Sequence, residues 1–429
     1  MSAQIELKSR LLPLLVIAAL LMQVLDPYRG WVIILVSLGG ALLISFLWAR
    51  SLARTLRLVR EMRFGWMQVG DRLEERFTIE NEGWAPALWV EVVDHSTLPD
   101  HHINWVTGVG GASSSRWHTE GLCTRRGLFT LGPTSLRSSD PFGVFTVQVH
   151  NPAARSILIM PPIVPLPAIQ ISPGGRSGEG RPRPDAPERT VSAGSVREYA
   201  PGDSLRWIHW PTTARRNKPY VRIFDGTPTS DWLIVLDLDQ QVHIGKGFDS
   251  TLEHAVILAA SLADRGMRAR HAVGLAANGS QVTWLPPASG EAQRWAILRA
   301  LALADTGEHS LQDVLEKMQS AIHSDTSLII ITPSTNENWI KGLLPLIWRG
   351  VNPTVLLLDA ATFGGDRATA ALTSLLADMG IASYLIPREM LNRPEAHPGK
   401  EGLWQWRVTP RGRAVLIHKP GDTAWKALE

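Results

Sequence analysis

The sequence predicts a multidomain chain. It comprises a transmembrane helical hairpin with a basic juxtamembrane helix over 1–63, an Ig-like β-sandwich over 64–165, a flexible loop and connecting segment over 166–230, and a Rossmann-like α/β domain over 231–429. Three observations predict it. Two apolar runs near the N-terminus bracket a tight turn. Short strand-like runs separated by Gly, Pro and Asn follow, without a helical period. From Asp231 onward strands alternate with helices, which implies a mostly parallel sheet covered on both faces.

Leu11 to Leu25 is apolar apart from Gln23, and Trp31 to Ala49 apart from two serines. At about 1.5 Å per residue, about 20 helical residues cross a hydrocarbon core of ~30 Å. The second run fits. The first is short and calls for local thinning of the bilayer, or for Pro27 and Tyr28 at the interface. Lys8 and Arg10 precede the first run, and Arg50, Arg54, Arg57, Arg60 and Arg63 follow the second, whereas the turn between them holds only Arg29. The positive-inside rule then places both ends in the cytoplasm. A cleaved signal peptide is the rival reading, and the second apolar run with its arginines argues against it. Those arginines recur at helical spacing around Leu52, Leu56 and Val59, which suits a helix reaching an anionic membrane surface as well as a plain topology signal.

The 429 residues are enough for two or three domains, and a 45% hydrophobic content is enough for their cores. A net charge of +3 with 19% charged residues does not point to nucleic acid. Arg206, Arg215, Arg216 and Lys218 beside Trp207 and Trp210 could bind and stack on a single strand, but the membrane anchor and the small charge weigh against it. Cys123 is the only cysteine, so no internal disulfide forms, which fits a reducing compartment.

Strand-like runs recur from Leu73 to Met160. Pro173 to Arg189, rich in Gly, Pro and charge, reads as a mobile loop. Leu233 to Leu236 is a buried strand ending at Asp237, and Ser327 to Thr332 is a second one. Ser250 with Glu253, and Ser310 with Asp313, read as N-terminal caps of helices. In parallel sheets ligands bind at the carboxyl ends of the strands, so Asp237 and Thr332 stand where a site would be.

The segment from Arg197 to Trp210 is the most informative part of the chain. Ala200-Pro201-Gly202-Asp203 suits a type II turn, after which Asp203 can cap a short helix carrying Arg206 and Trp210. Ala214-Arg215 follows, and Tyr220 to Phe224 reads as a strand. These residues resemble the signature of the bacterial domain of unknown function 58 family. Its Arg-x-Tyr-x-Pro-Gly-Asp is met by Arg197, Tyr199, Pro201, Gly202 and Asp203, its Arg-x-Ile-x-Trp by Arg206, Ile208 and Trp210, and its Ala-Arg by Ala214 and Arg215. Arg126 to Pro133 and Asp140-Pro141-Phe142-Gly143-Val144-Phe145 are similar to two further family stretches, with Phe129 in place of Tyr and Val144 in place of Leu. The resemblance implies a protein of the bacterial inner membrane with a von Willebrand factor A-like α/β domain facing the cytoplasm. It also implies association with MoxR-type AAA+ ATPases and with other membrane proteins.

A von Willebrand factor A domain holds Mg²⁺ through Asp-x-Ser-x-Ser, whose hydroxyl and carboxylate oxygens suit a hard cation. Here the matching positions are Asp237, Asp239 and Gln241, so the motif is degenerate and the expectation is that no cofactor is bound, the alternative being that the two carboxylates and the amide hold Mg²⁺ weakly. The expected function is a membrane-tethered adaptor with no catalytic residues, in which the Arg197–Arg215 segment serves docking or an ion-pair network. The alternative is a hydrolase using Asp203 and His209, but no nucleophile elbow or zinc motif supports it. No Gly-x-x-x-x-Gly-Lys phosphate loop is present, so the chain is not read as its own ATPase.

Overall fold

The computed structural model describes residues 2–63, 66–101, 103–174, 193–199, 208–224, 231–323, 326–365, 369–391, 405–408, 414–418 and 425–428. The chain forms two compact units, Met1–Pro162 with Arg393–Glu429, and Ile163–Asn392. Residues 393–429, expected in the α/β domain, therefore group with the β unit.

The first unit opens with a strand β1 (Ser2–Leu7), followed by helices α1 (Leu11–Leu25) and α2 (Arg29–Thr55). The 27-residue α2 is long and apolar enough to cross a membrane, while α1 is a shorter apolar helix. The helix does not continue through the arginines as their spacing suggested. At Leu56 the backbone turns extended, and β2 (Leu56–Met62) begins. Leu56, Leu58, Arg60 and Met62 alternate inward along it, and the strand pairs antiparallel with β4 over its full length. Ladder pairing and burial on one face override a 3.6-residue spacing that is only a charge pattern.

Strands β3 (Trp66–Gln68), β4 (Arg72–Asn81), β5 (Ala87–Asp94), β6 (Trp105–Val109), β7 (Ser113–Leu122), β8 (Gly127–Leu131), β9 (Thr134–Ser139), β10 (Phe145–Asn151) and β11 (Arg155–Met160) follow. A five-stranded sheet in the order β1-β10-β9-β5-β6 and a sheet containing β2-β4-β7 enclose one core, with Leu58, Phe77, Ile79, Val90, Val92, Leu136 and Val147 at its centre. Ala49 and Leu52 of α2 belong to this same core. A smaller cluster around Met62, Leu73, Cys123, Ile157 and Ile159 lies at the far end of β2. Burial, with a smaller contribution from Asp71, pushes the Cys123 thiol up to about 12.

In the second unit, residues 163–174 carry no regular secondary structure but are held by hydrogen bonds, and residues 175–189 of the loop expected from Pro173 lie outside the described residues. Val164 N–H donates to Ser261, Arg265 to the Ile169 carbonyl, Ser172 N–H to Thr354 and Gly174 N–H to Ser327. Next come β12 (Ala193–Glu198), α3 (Trp210–Arg216) and β13 (Tyr220–Phe224), with β12 and β13 paired antiparallel. The sheet itself is built from β14 (Asp231–Leu236), α4 (Thr251–Arg268), β15 (Val273–Asn278), β16 (Val282–Ala288), α5 (Glu291–Ala302), α6 (Leu311–Met318), β17 (Thr326–Thr332), α7 (Ile340–Trp348), β18 (Pro353–Leu358), α8 (Ala370–Asp378) and β19 (Ala382–Ile386). The strand order is β16-β15-β14-β17-β18-β19, parallel throughout except for the β15–β16 pair. Leu233, Val235, Leu328, Ile330, Val355 and Leu357 pack against α6, α7 and α8. Both expected caps form. Ser250 accepts from Glu253 N–H, and Ser310 with Asp313 makes a reciprocal capping box.

The C-terminal strands β20 (Gln405–Val408) and β21 (Ala414–His418) form a hairpin, and β22 (Lys426–Ala427) pairs with β2. The Trp425 ring lies under the Arg63 and Arg76 guanidinium groups at 5.1 and 4.8 Å.

One polar cluster is buried in the β unit. Arg60 Nε donates to Glu75 at 2.7 Å and Nη1 to Asp94 at 2.8 Å, while His101 Nε2 meets the other Glu75 oxygen at 2.6 Å. Burial works against the Glu75 carboxylate, but the His101 hydrogen bond and the Arg60 charge outweigh it and hold its pKa below the ordinary value. Glu75 therefore stabilises the fold above its unfolded pKa near 4.5, and that contribution is lost as the pH falls through the lower folded value. Glu75→Gln is expected to cost about 3 kcal/mol at neutral pH, because it removes one of the two carboxylates that hold the buried Arg60 guanidinium, and to flatten the acid limb. Chemical denaturation across pH 2–7, followed by fluorescence, checks both outcomes; an unchanged acid limb contradicts this assignment.

Candidate functional site

The order of the six strands reverses between β14 and β17. Helices leave the sheet in opposite directions at such a point, which opens a crevice at the carboxyl ends. Asp237 and Thr332 stand there, one residue beyond β14 and at the last position of β17. Thr332 Oγ1 donates to Asp237 Oδ2 at 2.6 Å, and both residues are fully buried, at 1% and 0% exposed. The second Asp237 oxygen accepts from Asp239 N–H at 3.2 Å, and Asp239 Oδ1 accepts from Gln241 N–H at 2.9 Å. Thr332 Oγ1 also accepts from Ser334 N–H at 2.9 Å. His243 bridges the Asp237 carbonyl and the Thr251 hydroxyl at the start of α4, each at 3.0 Å. Both loops are thus pinned to one carboxyl–hydroxyl contact.

Burial raises the Asp237 pKa to about 6, against the lowering effect of the Thr332 hydrogen bond and the Asp239 N–H, with a smaller rise from the Asp239 charge. The sequence placed Asp237, Asp239 and Thr332 together, and the structure does so. Gln241 is exposed, and it joins the junction through its backbone N–H. Among the described residues no three His, Cys, Asp or Glu side chains are arranged to hold a metal. Carboxylate and hydroxyl oxygens suit a hard cation, and here the Asp237 carboxylate and the Thr332 hydroxyl hold one another. Asn278, at the carboxyl end of the neighbouring β15, is 4% exposed. Its side-chain oxygen has no partner among the described residues, and its burial removes it as a surface glycosylation acceptor. In the sequence Asn278 is marked only by the glycosylation-type pattern Asn278-Gly279-Ser280, not as a neighbour of Asp237.

The signature segment divides. Pro201, Gly202, Asp203 and Arg206 lie outside the described residues, as does the Arg197 side chain. Arg197 has its backbone in β12, facing Val221. Tyr199 N–H donates to the Pro219 carbonyl. The part of the expected helix from Asp203 to Arg206 lies outside the described residues; α3 begins at Trp210, and His209 Nδ1, at its N-cap, lies 2.7 Å from Thr212 Oγ1 in its first turn. Trp210 is 69% exposed, and Arg215 and Arg216 are exposed near the end of the same helix. Lys218 pairs with Glu198 at 2.9 Å across the hairpin.

Residues 195–346, from β12 into α7, match the family described as "Protein of unknown function DUF58". The stretch contains both the signature segment and the Asp237–Thr332 junction. The chain is 29% identical over 110 residues to an uncharacterized protein of Mycobacterium tuberculosis, covering 25% of this chain and 35% of that one. It is 22% identical over 204 residues to the uncharacterized protein YeaD of Bacillus subtilis, covering 47% and 45%. The chain thus spans less than half the length of these curated relatives. Among solved structures, the CARDB domain of a Pyrococcus furiosus protein in complex with di-metal ions is 14% identical over 24% of this chain and 89% of that one, with a TM-score of 0.19. A β-glucosidase of Listeria innocua is 8% identical over 24% and 16%, with a TM-score of 0.17. At these scores neither bears on the fold or the site.

Asp237 binds its proton more tightly folded than unfolded, so its contribution to stability is present below pH 3.8 and lost as the pH rises to about 6. The loss amounts to about 3 kcal/mol. Asp237→Asn is expected to abolish this slope, and Thr332→Val to carry it to higher pH, because the hydrogen bond that favours the carboxylate is gone. Unfolding measured from pH 3 to 8 checks both.

Proposed function

We propose that the chain is a membrane-anchored adaptor whose α/β unit, read as von Willebrand factor A-like, docks a protein partner on the cytoplasmic side of a bacterial inner membrane. One observation carries the proposal: Trp210 opens α3 with its indole 69% exposed and exposed arginines on the same short helix. Exposed Trp and Arg side chains are the types that dominate docking energies. The Asp237–Thr332 contact supports the reading by fixing the loops at the strand ends into one conformation, as a presented surface requires. The strand order, with its single antiparallel edge pair, is compatible with the von Willebrand factor A reading.

The partner proposed is a MoxR-type AAA+ ATPase acting on the assembly or maturation of other membrane proteins. Nucleic acid is not part of the proposal, and no metal at Asp237 is required by it. The hydrolase alternative needs His209 free to act with Asp203. His209 instead faces the Thr212 hydroxyl of its own helix, the place of a local structural contact.

Affinity capture from native membranes, with nucleotide and Mg²⁺ present, tests the proposal. The intact chain is expected to retain an AAA+ ATPase. Trp210→Ala is expected to lose at least about tenfold in capture while staying folded, as removal of a central aromatic anchor does. Full capture by folded Trp210→Ala, Asp203→Ala and Arg206→Ala variants rejects this docking face; recovery of no ATPase by the intact chain rejects the partner.

A further inference from the structure

The Asp140–Phe145 stretch, singled out in the sequence, is not used by the docking site. In the β unit it forms the turn between β9 and β10. Asp140 is 2% exposed and holds the turn rigid, accepting from Phe142 N–H at 2.9 Å and Phe145 N–H at 2.6 Å. Gly143 takes the left-handed conformation at φ +66°. The result is that Phe142 projects outward, 61% exposed. An exposed phenylalanine on a braced turn is unfavourable in water and suits an apolar contact.

What lies beside this turn identifies the contact. Lys8 and Ser9 N–H both donate to the Val144 carbonyl, and α1 starts at Leu11. The turn therefore sits where the first apolar helix starts. On the second helix, Phe46 meets Phe145 edge to face at 5.9 Å, and Trp48 meets Trp84 at 5.4 Å while its Nε1–H donates to the Pro86 carbonyl. Trp84, in the loop between β4 and β5, is 64% exposed. That loop is braced as well: Asn81 accepts from Gly83 N–H and donates to the Ala85 carbonyl. Exposed Lys8 is set close by at the α1 end, and exposed Arg50 and Arg54 at the α2 end. Aromatic rings flanked by cations at the ends of apolar helices match the headgroup layer of a bilayer, where rings are held at the interface and cations meet anionic lipid.

We propose that Phe142 and Trp84 form a rigid aromatic ledge of the β unit that seats in the phospholipid headgroup layer and fixes the tilt of this unit on the membrane. This inference rests on the membrane-anchored reading above.

The full chain is reconstituted into vesicles of phosphatidylcholine and phosphatidylglycerol that contain a headgroup spin-labelled lipid. A fluorophore is placed at Phe142→Cys, Trp84→Cys or Leu128→Cys, the last an exposed position on β8, which pairs with β11 beside the distal core cluster. The native Cys123 is buried, so the unsubstituted chain reports background labelling. Quenching of the labels at 142 and 84, and none at 128, is expected. Retention of the chain after an alkaline wash without quenching at 142 and 84, or with equal quenching at all three positions, overturns the ledge and leaves the anchor standing. A chain stripped by the wash overturns both.

Discussion

One helix of this protein meets two environments, and the architecture of its β unit follows from that. The 27 residues of α2 extend for about 40 Å. Most of its length carries exposed apolar side chains, yet Ala49 and Leu52 near its end are fully buried in the core between two β-sheets. No linker separates the apolar helix from the folded unit, because the chain passes at Leu56 straight into β2. Each fully buried aliphatic side chain at that junction contributes about 1.5–3 kcal/mol. The helix and the sheets therefore move as one body, and β1, paired with β10 ahead of α1, ties the other end of the helix pair to the same unit.

The two buried acidic sites solve the same problem in opposite ways. Glu75 is charged and compensated, facing Arg60 and His101. Asp237 has a hydroxyl and a backbone amide as its partners, so burial prevails and its proton is held more tightly. A buried group answered by charge serves acid-sensitive rigidity. One answered by neutral hydrogen bonds closes a junction while keeping its titration near the neutral range.

Much of this was legible in the sequence, for identifiable reasons. The alternation of apolar runs and capped helices from Asp231 onward reports the α/β sheet, since a buried parallel strand and a capped helix each leave a local pattern. Asp237 and Thr332 could be placed because strand ends are set by where those runs stop. The course of Arg60 could not be foreseen: its spacing from Arg57 and Arg63 imitates a helix, and only the long-range pairing of β2 with β4 turns it inward toward Glu75. His101 lies between strands, and its contact with Glu75 leaves no local sign in the sequence, the two being 26 positions apart. The strap 163–174 and the return of β22 to β2 rest on contacts as remote, 97 residues for Val164 with Ser261.

The proposal on which the functional reading rests is that α2 crosses a membrane with the folded units on the cytoplasmic side. The direct test is labelling by a membrane-impermeant maleimide on spheroplasts, using cysteines at Tyr28, at Gly39, where an added side chain meets nothing within 4 Å, and at exposed Arg54. The account predicts reaction at position 28 on intact spheroplasts, at position 54 only after lysis, and at position 39 in neither case. Reaction at position 54 on intact spheroplasts, or at position 39 after lysis, contradicts it.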